Sequence, residues 1–483
     1  MVRNELPNVE TRLYINGQWL DGSEEAKSVI NPATGETLTA VQQGGRNETL
    51  RAVEAAASAF SKWSKTSPAE RADLMNKAAD LISDDQERLA TIMTMEQGKP
   101  LQQATAEIQT NIENLRWNAS EAQRIYGDII PSPDDKQWLA EKQPIGVVAA
   151  ITPWNFPSNM IIRKIAPAIA AGCTVILKPS SETPLSALAL MELFDKAGFP
   201  DGVVNVVLGK SKIVGEILAT SEEIQKLTFT GSTEVGKLLN EQAASTLKKV
   251  SMELGGHAPF IIFPDADLDL AADSLIAAKF RNNGQVCTSP NRIFIHEEIK
   301  SEATKLILEK IKEVTVGNGL DNPTTGPLIN QGGLDKVKKQ LQDAADKGAD
   351  ILYGGSQLTS GAYADGFFFE PTIVDGVTTD MDIYYKETFG PVIPLITFSD
   401  EEEVIKAAND TPFGLASYFF ADNIHTITNV SRKLAYGMVG VNDVDISNSA
   451  TPFGGVKHSG FGRENGAYGI EEYVVIKFIT IKA

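Results

Sequence analysis

The sequence has few cysteines and histidines, little positive charge and no long apolar run. Its 483 residues include only two cysteines, which cannot form a framework of disulfides. The formal net charge of −19 argues against nucleic-acid and anionic-membrane partners, because both require a dense basic patch. No apolar stretch approaches the roughly 18 residues of a membrane helix. The four histidines lack metal-ligand spacing, so we expect no metal site.

The N-terminal segment, residues 1–8, has no apolar core of the kind that marks a secretion signal. A free functional thiol persists best in a reducing compartment. We therefore expect a cytoplasmic protein.

Strands alternate with helices through most of the chain. Residues 14–19 carry an Asn-Gly turn between alternating side chains, which predicts a hairpin, and residues 46–115 predict long helices. Short apolar strands then follow at residues 147–151, 175–177, 203–207 and 226–230, with helical segments between them. The pattern predicts an α/β fold with a parallel sheet covered on both faces. A similar texture from about 268 to 440 predicts a second α/β domain and a cleft between the two.

Cys287 is the residue best placed for chemistry. It ends the polar, glycine-containing segment 282–287, between a helical pattern and an apolar strand pattern, where a thiol can meet a substrate. Cys173 lies in an apolar strand pattern instead and is typical of a small core residue.

Four further segments combine polar residues with a position after a predicted strand. Asn155 stands between two prolines, which limits the orientations of its backbone. Lys178 precedes two serines, and the 229–237 segment turns on glycine from strand to helix, where backbone amides could meet a phosphate. Glu253 lies between a methionine and a leucine, and in an apolar pocket it could become a base. Each segment alone is equally typical of a turn, a cap or a surface side chain.

Taken in order, these segments resemble the motifs of the aldehyde dehydrogenase superfamily. The resemblance rests on the segments 154–157, 178–180, 229–233, 253–256, 284–287, 387–391 and 452–455. It implies that Cys287 attacks an aldehyde, that the Asn155 amide and the Cys287 backbone N–H stabilise the oxyanion, and that Glu253 activates water to release the acid.

The resemblance also implies a dinucleotide site. Its cofactor-binding positions are Trp154, Lys178, Ser180, Ser181, Gly231, Ser232, Leu254, Glu387 and Phe389. Many NAD-preferring relatives carry an acid where this chain has Ser181, and a small hydroxyl beside Lys178 leaves room and charge for a 2′-phosphate. We therefore expect a preference for NADP, with NAD still possible because Glu182 is adjacent.

Within the superfamily the chain is most similar to the succinate-semialdehyde dehydrogenases. The matching substrate positions are Arg163, Arg281 and Ser447, and a guanidinium offers a carboxylate a planar fork of donors. The expected reaction is oxidation of succinate semialdehyde to succinate with NAD(P)+. Glutarate semialdehyde or 2-oxoglutarate semialdehyde remain as alternative carboxylated substrates, and each arginine alone could be a surface ion pair. A non-catalytic binding protein on the same scaffold is a further alternative.

The resemblance also divides the chain. It implies a Rossmann-like cofactor domain at 1–121 and 145–255, a catalytic α/β domain at 256–466, and a small β extension at 122–144 and 467–483. Both β segments would leave exposed edges, so we expect them to pair with each other and to meet another subunit in a homodimer or homotetramer.

Overall fold

A computed structural model of the chain describes residues 5–482. Met1–Asn4 and Ala483 lie outside this range, so the expectation for the N-terminal segment falls partly outside the described residues. No helix within 5–482 is both long enough and apolar enough to cross a membrane.

In chain order, the strands are β1 (Leu13–Ile15), β2 (Gln18–Leu20), β3 (Glu24–Ile30), β4 (Thr37–Gln43), β5 (Asp128–Ile130), β6 (Lys136–Pro144), β7 (Val147–Ile151), β8 (Thr174–Lys178), β9 (Val204–Val206), β10 (Lys226–Thr230), β11 (Lys249–Glu253), β12 (Ala258–Ile262), β13 (Pro290–His296), β14 (Asp350–Tyr353), β15 (Thr372–Asp375), β16 (Val392–Phe398), β17 (Ala416–Phe420), β18 (Met438–Val441), β19 (Gly460–Phe461) and β20 (Val474–Lys482).

The helices follow the same order. They are α1 (Arg46–Trp63), α2 (Pro68–Asp84), α3 (Gln86–Gln97), α4 (Leu101–Ala122), α5 (Asn159–Ala171), α6 (Pro184–Ala197), α7 (Ser211–Thr220), α8 (Thr233–Ala243), α9 (Leu268–Phe280), α10 (Lys300–Lys310), α11 (Gln331–Asp346), α12 (Asp382–Tyr385), α13 (Glu401–Asn409), α14 (Ile424–Lys433) and α15 (Gly466–Glu471).

The first sheet has the strand order β19-β11-β10-β7-β8-β9-β1-β2. Its central strands β11, β10, β7, β8 and β9 run parallel, and β7, β8, β9 and β10 are buried along their whole length because helices cover both faces. The predicted strands at 147–151 and 226–230 are confirmed with these bounds. The predicted hairpin is confirmed as β1 and β2, with Asn16 and Gly17 at the positive φ angles that its turn requires.

The second sheet has the order β14-β15-β16-β13-β12-β17-β18 and is parallel except at β14. A third, antiparallel sheet joins β20, β6 and β5. The predicted pairing of the two β segments outside the main sheets is therefore confirmed. β19 lies within 256–466 but extends the first sheet, where it pairs with β11.

The two large sheets meet edge to edge. The register pairs Ile151 with Lys178 and Thr230 with Glu253, so the carboxyl ends of these strands share one edge. The chain then passes from β11 into β12 through four residues, and that short connection brings the amino edge of the second sheet against this carboxyl edge. Segments that follow strands of the first sheet thus face segments that precede strands of the second. Ligands of open parallel sheets bind at such a carboxyl edge.

Candidate active site

A cavity of about 370 Å³ lies where the two edges meet. Eight of the predicted site residues line it: Trp154, Asn155, Gly231, Ser232, Leu254, Cys287, Glu387 and Phe389. The structure therefore brings together side chains that are up to 235 positions apart in the chain, since Trp154 and Phe389 line the same cavity. The other predicted residues do not line it: Glu253, Arg163, Ser447, Lys178 and Ser180, together with Ser181 and Arg281, which each border another cavity.

Cys287 is partly exposed at the cavity wall, just before β13. The preceding Asn282, Asn283 and Gly284 all have positive φ angles, and asparagine and glycine are the residues that accept this conformation most readily. Gly256 packs so closely that a Cβ there would lie 2.2 Å from the Cys287 carbonyl oxygen. Burial, followed by the negative charges of Glu387 and Glu253, raises the pKa of the Cys287 thiol to about 12. The resting side chain is thus a thiol, and an attack by its sulfur requires a base.

Asn155 is buried in the loop between β7 and α5. Its Nδ2 donates to the Gln285 carbonyl oxygen at 2.9 Å, two residues before Cys287. Its own carbonyl oxygen accepts bonds from Lys99 Nζ and from Asn282 Nδ2, each at 2.8 Å. The Asn155 amide is therefore held against the nucleophile's loop.

Glu253 is the last residue of β11 and is only 3% exposed. Neither of its carboxylate oxygens has a hydrogen-bond partner among residues 5–482. Oε1 lies beside Gly454, where a Cβ would come within 2.8 Å, so the glycine makes room for the carboxylate. Burial, and then the charge of Glu464, raises the pKa of Glu253 well above its usual range. A carboxyl group with a raised pKa holds a proton more readily and is suited to proton transfer.

Two buried residues beside Glu253 were not predicted. Lys164 in α5 donates to Glu464 at 2.5 Å and to Thr228 Oγ1 at 3.2 Å, and both Lys164 and Glu464 are buried. The Glu464 carboxylate raises the pKa of Glu253, whereas Lys164 lowers it. A sequence signal did exist, because two adjacent cations, Arg163 and Lys164, interrupt an otherwise apolar helix and a buried cation needs a partner.

Arg163 lies in the same helix and is 6% exposed. Its Nη2 donates to Ser447 Oγ, and its guanidinium lies 4.5 Å from the centre of the Phe453 ring. Nε and Nη1 have no hydrogen-bond partner in the described part of the chain. Two buried N–H donors of a cation are thus free to bind an anion. Arg163 and Ser447, two of the three predicted substrate-binding residues, therefore contact each other.

Arg281 does not line the Cys287 cavity. It borders a second cavity of about 350 Å³, and its guanidinium lies 5.1 Å from the centre of the Phe156 ring. Phe156 lines both cavities and separates them. The charge of Arg281 lowers the pKa of Arg163 after the larger effect of burial, so the two guanidinium groups act on each other.

The part of the first cavity where a dinucleotide is expected has features that suit a phosphate group and an aromatic ring. Trp154 and Phe389 pack edge to face at 5.5 Å, and Phe389 has a φ of 55°, which is strained for a bulky side chain. Ser232 caps α8, whose positive end faces the cavity. A Cβ on Gly231 would lie 2.4 Å from the Phe229 ring, so only glycine fits at this position. Glu387 accepts a bond from the Gly256 N–H at 3.1 Å.

Of the four residues that the resemblance implies around the adenosine ribose, Trp154 lines that cavity, whereas Lys178, Ser180 and Ser181 do not. Lys178 ends β8, and burial together with the nearby Lys27 charge lowers its pKa to about 8. Ser180 Oγ accepts a bond from the Glu182 N–H. Ser181 borders a separate cavity of about 380 Å³, together with Lys27, Lys210 and Ser211 among others. Two acids of this region form ion pairs, Glu182 with Lys27 and Glu24 with Lys210, whereas Glu25, which also borders the cavity, forms none within residues 5–482.

One wall of the Cys287 cavity was not predicted from the sequence. Ile329, Asn330, Gly332, Gly333 and Lys336 border it at the start of α11. Asn330 caps this helix by accepting a bond from the Gly333 N–H. An asparagine before a glycine pair after an apolar strand-like run is the signal that could have identified this segment.

Comparison with known proteins agrees with this geometry. A 3-sulfolactaldehyde dehydrogenase of Pseudomonas putida is 48% identical over 98% of this chain and 97% of its own length. The succinate-semialdehyde dehydrogenase [NADP(+)] GabD of Escherichia coli (strain K12) is 48% identical over 97% of both chains. The crystal structure of a succinate-semialdehyde dehydrogenase from Burkholderia pseudomallei superposes with a TM-score of 0.96, at 46% identity over 98% of both chains. The profile of the aldehyde dehydrogenase family matches residues 19–479, and the chain belongs to that family.

Proposed function

We propose that this enzyme oxidises an aldehyde that carries an anionic group at its far end, with succinate semialdehyde as the first candidate. Arg163 is the observation that carries the proposal. It is a buried guanidinium with two unpartnered N–H donors, and the hydroxyl of Ser447 and the Phe453 ring hold it in place. Leaving such donors unpaired in a dry site is costly, and a carboxylate oxygen can accept a hydrogen bond from either of them.

Arg281 supports the same proposal from the other side of Phe156. Its positive charge adds to that of Arg163, so an anion bound to Arg163 would be attracted by both groups. A sulfonate would satisfy the same donors, and one of the similar proteins is named for a sulfonated aldehyde. Glutarate semialdehyde or 2-oxoglutarate semialdehyde are the alternatives that differ in chain length or in an added carbonyl group.

In the proposed mechanism Cys287 is the nucleophile. Its thiol must lose a proton before the sulfur attacks the carbonyl carbon, and the Glu253 carboxylate, whose pKa is raised, would accept that proton and release it to solvent before hydrolysis. The carbonyl oxygen becomes an oxyanion, which Asn155 Nδ2 and the Cys287 backbone N–H would stabilise. Removing one such donor costs roughly 3–4 kcal/mol in comparable sites.

Bound NAD(P)+ supplies an acceptor for the hydride that leaves the tetrahedral carbon. Cys287 then holds the acyl group as a thioester. Glu253 would remove a proton from water as the water oxygen attacks the thioester carbon, and the Cys287 sulfur leaves with the electrons of its bond. The product is the free acid, and the raised pKa of Glu253 suits this proton transfer.

The residues present fit a dinucleotide. The positive end of α8 and the close approach allowed by Gly231 suit a pyrophosphate, and Glu387 suits the nicotinamide ribose. For the adenosine ribose we propose NADP over NAD. Ser181 adds no charge, while Lys178, Lys27 and Lys210 lie around that end of the site. The ion pairs of Lys27 and Lys210 with glutamates leave NAD binding possible.

We assign one function to each of the two domains built on the large sheets and another to the small sheet. Residues 1–121 and 145–255 would bind the cofactor and 256–466 would supply the nucleophile. The three-stranded sheet exposes Ile129 at 78%, Ile476 at 71% and Phe478 at 58%. Such an apolar patch on two edge strands favours assembly with a second copy, so we propose a homodimer or homotetramer. A lone catalytic thiol favours the cytoplasm.

The test is a substrate panel run with NAD and with NADP. Succinate semialdehyde, glutarate semialdehyde, 2-oxoglutarate semialdehyde, 3-sulfolactaldehyde and butanal are compared by kcat/KM from the formation of reduced nicotinamide. We expect an anionic aldehyde to exceed butanal by at least about 10²-fold, since buried donors left unpaired penalise the neutral analogue. Cys287→Ser should abolish turnover, and Glu253→Gln, which removes the proposed base, should slow both the first turnover and the steady state. Equal rates on butanal and the acids would refute the proposed substrate class.

A further inference from the structure

A buried lysine lies beneath Asn155 that the mechanism above does not use. Lys99 Nζ donates to the Asn155 carbonyl oxygen at 2.8 Å and to Glu107 Oε2 at 2.6 Å. It also lies 4.1 Å from the centre of the Phe156 ring. The Lys99 and Glu107 side chains are 1% and 2% exposed, so this ion pair lies entirely away from solvent.

A second donor reaches the same carbonyl from the nucleophile's loop. Asn282 Nδ2 donates to the Asn155 oxygen at 2.8 Å, and Gln97 Nε2 fixes the Asn282 amide by donating to its Oδ1 at 2.9 Å. Asn282 holds this position with a φ of 48°. A non-glycine residue in that conformation is strained by roughly 1 kcal/mol, so its hydrogen bonds must outweigh the strain.

Glu107 also binds the backbone that follows Asn155. Its Oε1 accepts the backbone N–H groups of Ser158 and Asn159 at 3.0 and 2.9 Å, at the first turn of α5. One carboxylate therefore binds the lysine below Asn155 and the helix start beyond it. The peptide that carries Asn155 is fixed at its carbonyl and a few residues later.

A buried ion pair is a poor way to gain stability, because desolvation offsets most of the attraction between the charges. An apolar pair would fill the same space. What the charged pair adds is a directed hydrogen bond to one carbonyl group. Asn155 Nδ2 donates one of its two hydrogens to the Gln285 carbonyl oxygen, so its use as an oxyanion donor depends on a backbone that keeps the second hydrogen correctly directed.

We propose that Lys99 and Asn282 are positioning residues that hold the Asn155 peptide so that its side-chain amide meets the oxyanion. This inference rests on the proposed oxyanion role of Asn155. A misplacement of about 1 Å at a reacting group can cost roughly 10²-fold in rate. We therefore expect Asn282→Ala and Lys99→Met each to lower kcat by about 10- to 100-fold, with little change in the Kd of the cofactor.

Matched controls separate positioning from folding. Asn283→Ala removes an asparagine with the same backbone strain, since its φ is 57°, but both side-chain polar atoms of Asn283 lack partners within residues 5–482. Lys226→Met removes another buried lysine that pairs with an acid, at the opposite end of β10 from the cavity. Both controls should lose stability without the same loss of kcat.

Two readouts distinguish positioning from a general loss of structure. The rate at which iodoacetamide alkylates Cys287 should not change, because alkylation forms no oxyanion. In an Asn155→Ala background, Asn282→Ala should cause no further loss, since residues that act as one unit are not additive. If the Lys99→Met variant does not fold, the Asn282→Ala variant is sufficient to test the inference.

Three results are decisive. Full additivity of Asn282→Ala with Asn155→Ala would overturn the inference, and so would an equal loss in Asn283→Ala. If Asn155→Ala itself leaves kcat unchanged, the proposed oxyanion role fails instead, and the inference falls with it.

Discussion

Replacing Arg163 with methionine is the sharpest test of how substrate is chosen. Arg163 offers two unpartnered buried donors, Nε and Nη1, to an anion. A hydrogen bond to a charged group contributes about 1.5–3 kcal/mol, so two of them contribute about 3–6 kcal/mol. At 1.4 kcal/mol per factor of ten, kcat/KM for succinate semialdehyde should fall by about 10² to 10⁴. Butanal makes neither bond and should not share this loss.

The measurement is kcat/KM for both aldehydes at saturating cofactor, in the wild type and in Arg163→Met. Arg71→Met is the matched control, because Arg71 is also 6% exposed and has no carboxylate partner among residues 5–482. Arg71 donates to the Ala170 carbonyl at 3.0 Å, at the far end of α5 from the cavity. The Arg71→Met substitution should lower thermal stability and leave the ratio of the two kcat/KM values unchanged.

The ratio of kcat/KM for succinate semialdehyde to kcat/KM for butanal decides the result. The positive charge of Arg163 lowers the pKa values of Cys287 and Glu253, so its removal should slow both substrates at neutral pH. That shared effect cancels in the ratio. An equal fall for both substrates would show that Arg163 serves the nucleophile and the base alone, and the argument for an anionic substrate would be refuted.

Three further predictions test other parts of the site. Glu464→Gln removes the charge that raises the pKa of Glu253, so the pH midpoint of thioester hydrolysis should move to lower pH in single-turnover profiles; an unchanged midpoint would contradict the coupling. Ser181→Glu places an acid where a 2′-phosphate would bind, and the NADP-to-NAD ratio of kcat/KM should fall by about 10²-fold, whereas an unaltered ratio would place the phosphate elsewhere. Phe478→Asp should reduce the assembly mass seen by analytical ultracentrifugation, and an unchanged mass would exclude this strand from the interface.

Much of the fold follows from local patterns. The strand at 147–151 is a continuous apolar run and that at 226–230 alternates polar and apolar residues, and the structure has both with those bounds. The hairpin at Asn16 and Gly17 follows from turn chemistry alone. Such signals lie within a few residues of the element they predict.

The sequence could not reveal which loops meet. The start of α11 borders the Cys287 cavity because of how the second sheet packs. The sequence around Asn330 does not predict this proximity to Cys287. Arg281 is predicted to act together with Arg163, yet the ring of Phe156 separates the cavity it lines from that of Cys287. Long-range contacts of this kind depend on how two sheets approach each other, which no local pattern encodes.

Arg163 and Lys164 show how one short segment links substrate choice to catalysis. The two side chains leave α5 at successive positions, about 100° apart around the helix axis, so they reach different partners. Arg163 keeps two unpartnered nitrogens, Nε and Nη1, while Lys164 binds the Glu464 carboxylate that acts on Glu253. Both cations also lower the pKa of Glu253. An anion bound to Arg163 weakens one of these two effects, so the far end of the substrate adjusts the base that later releases it.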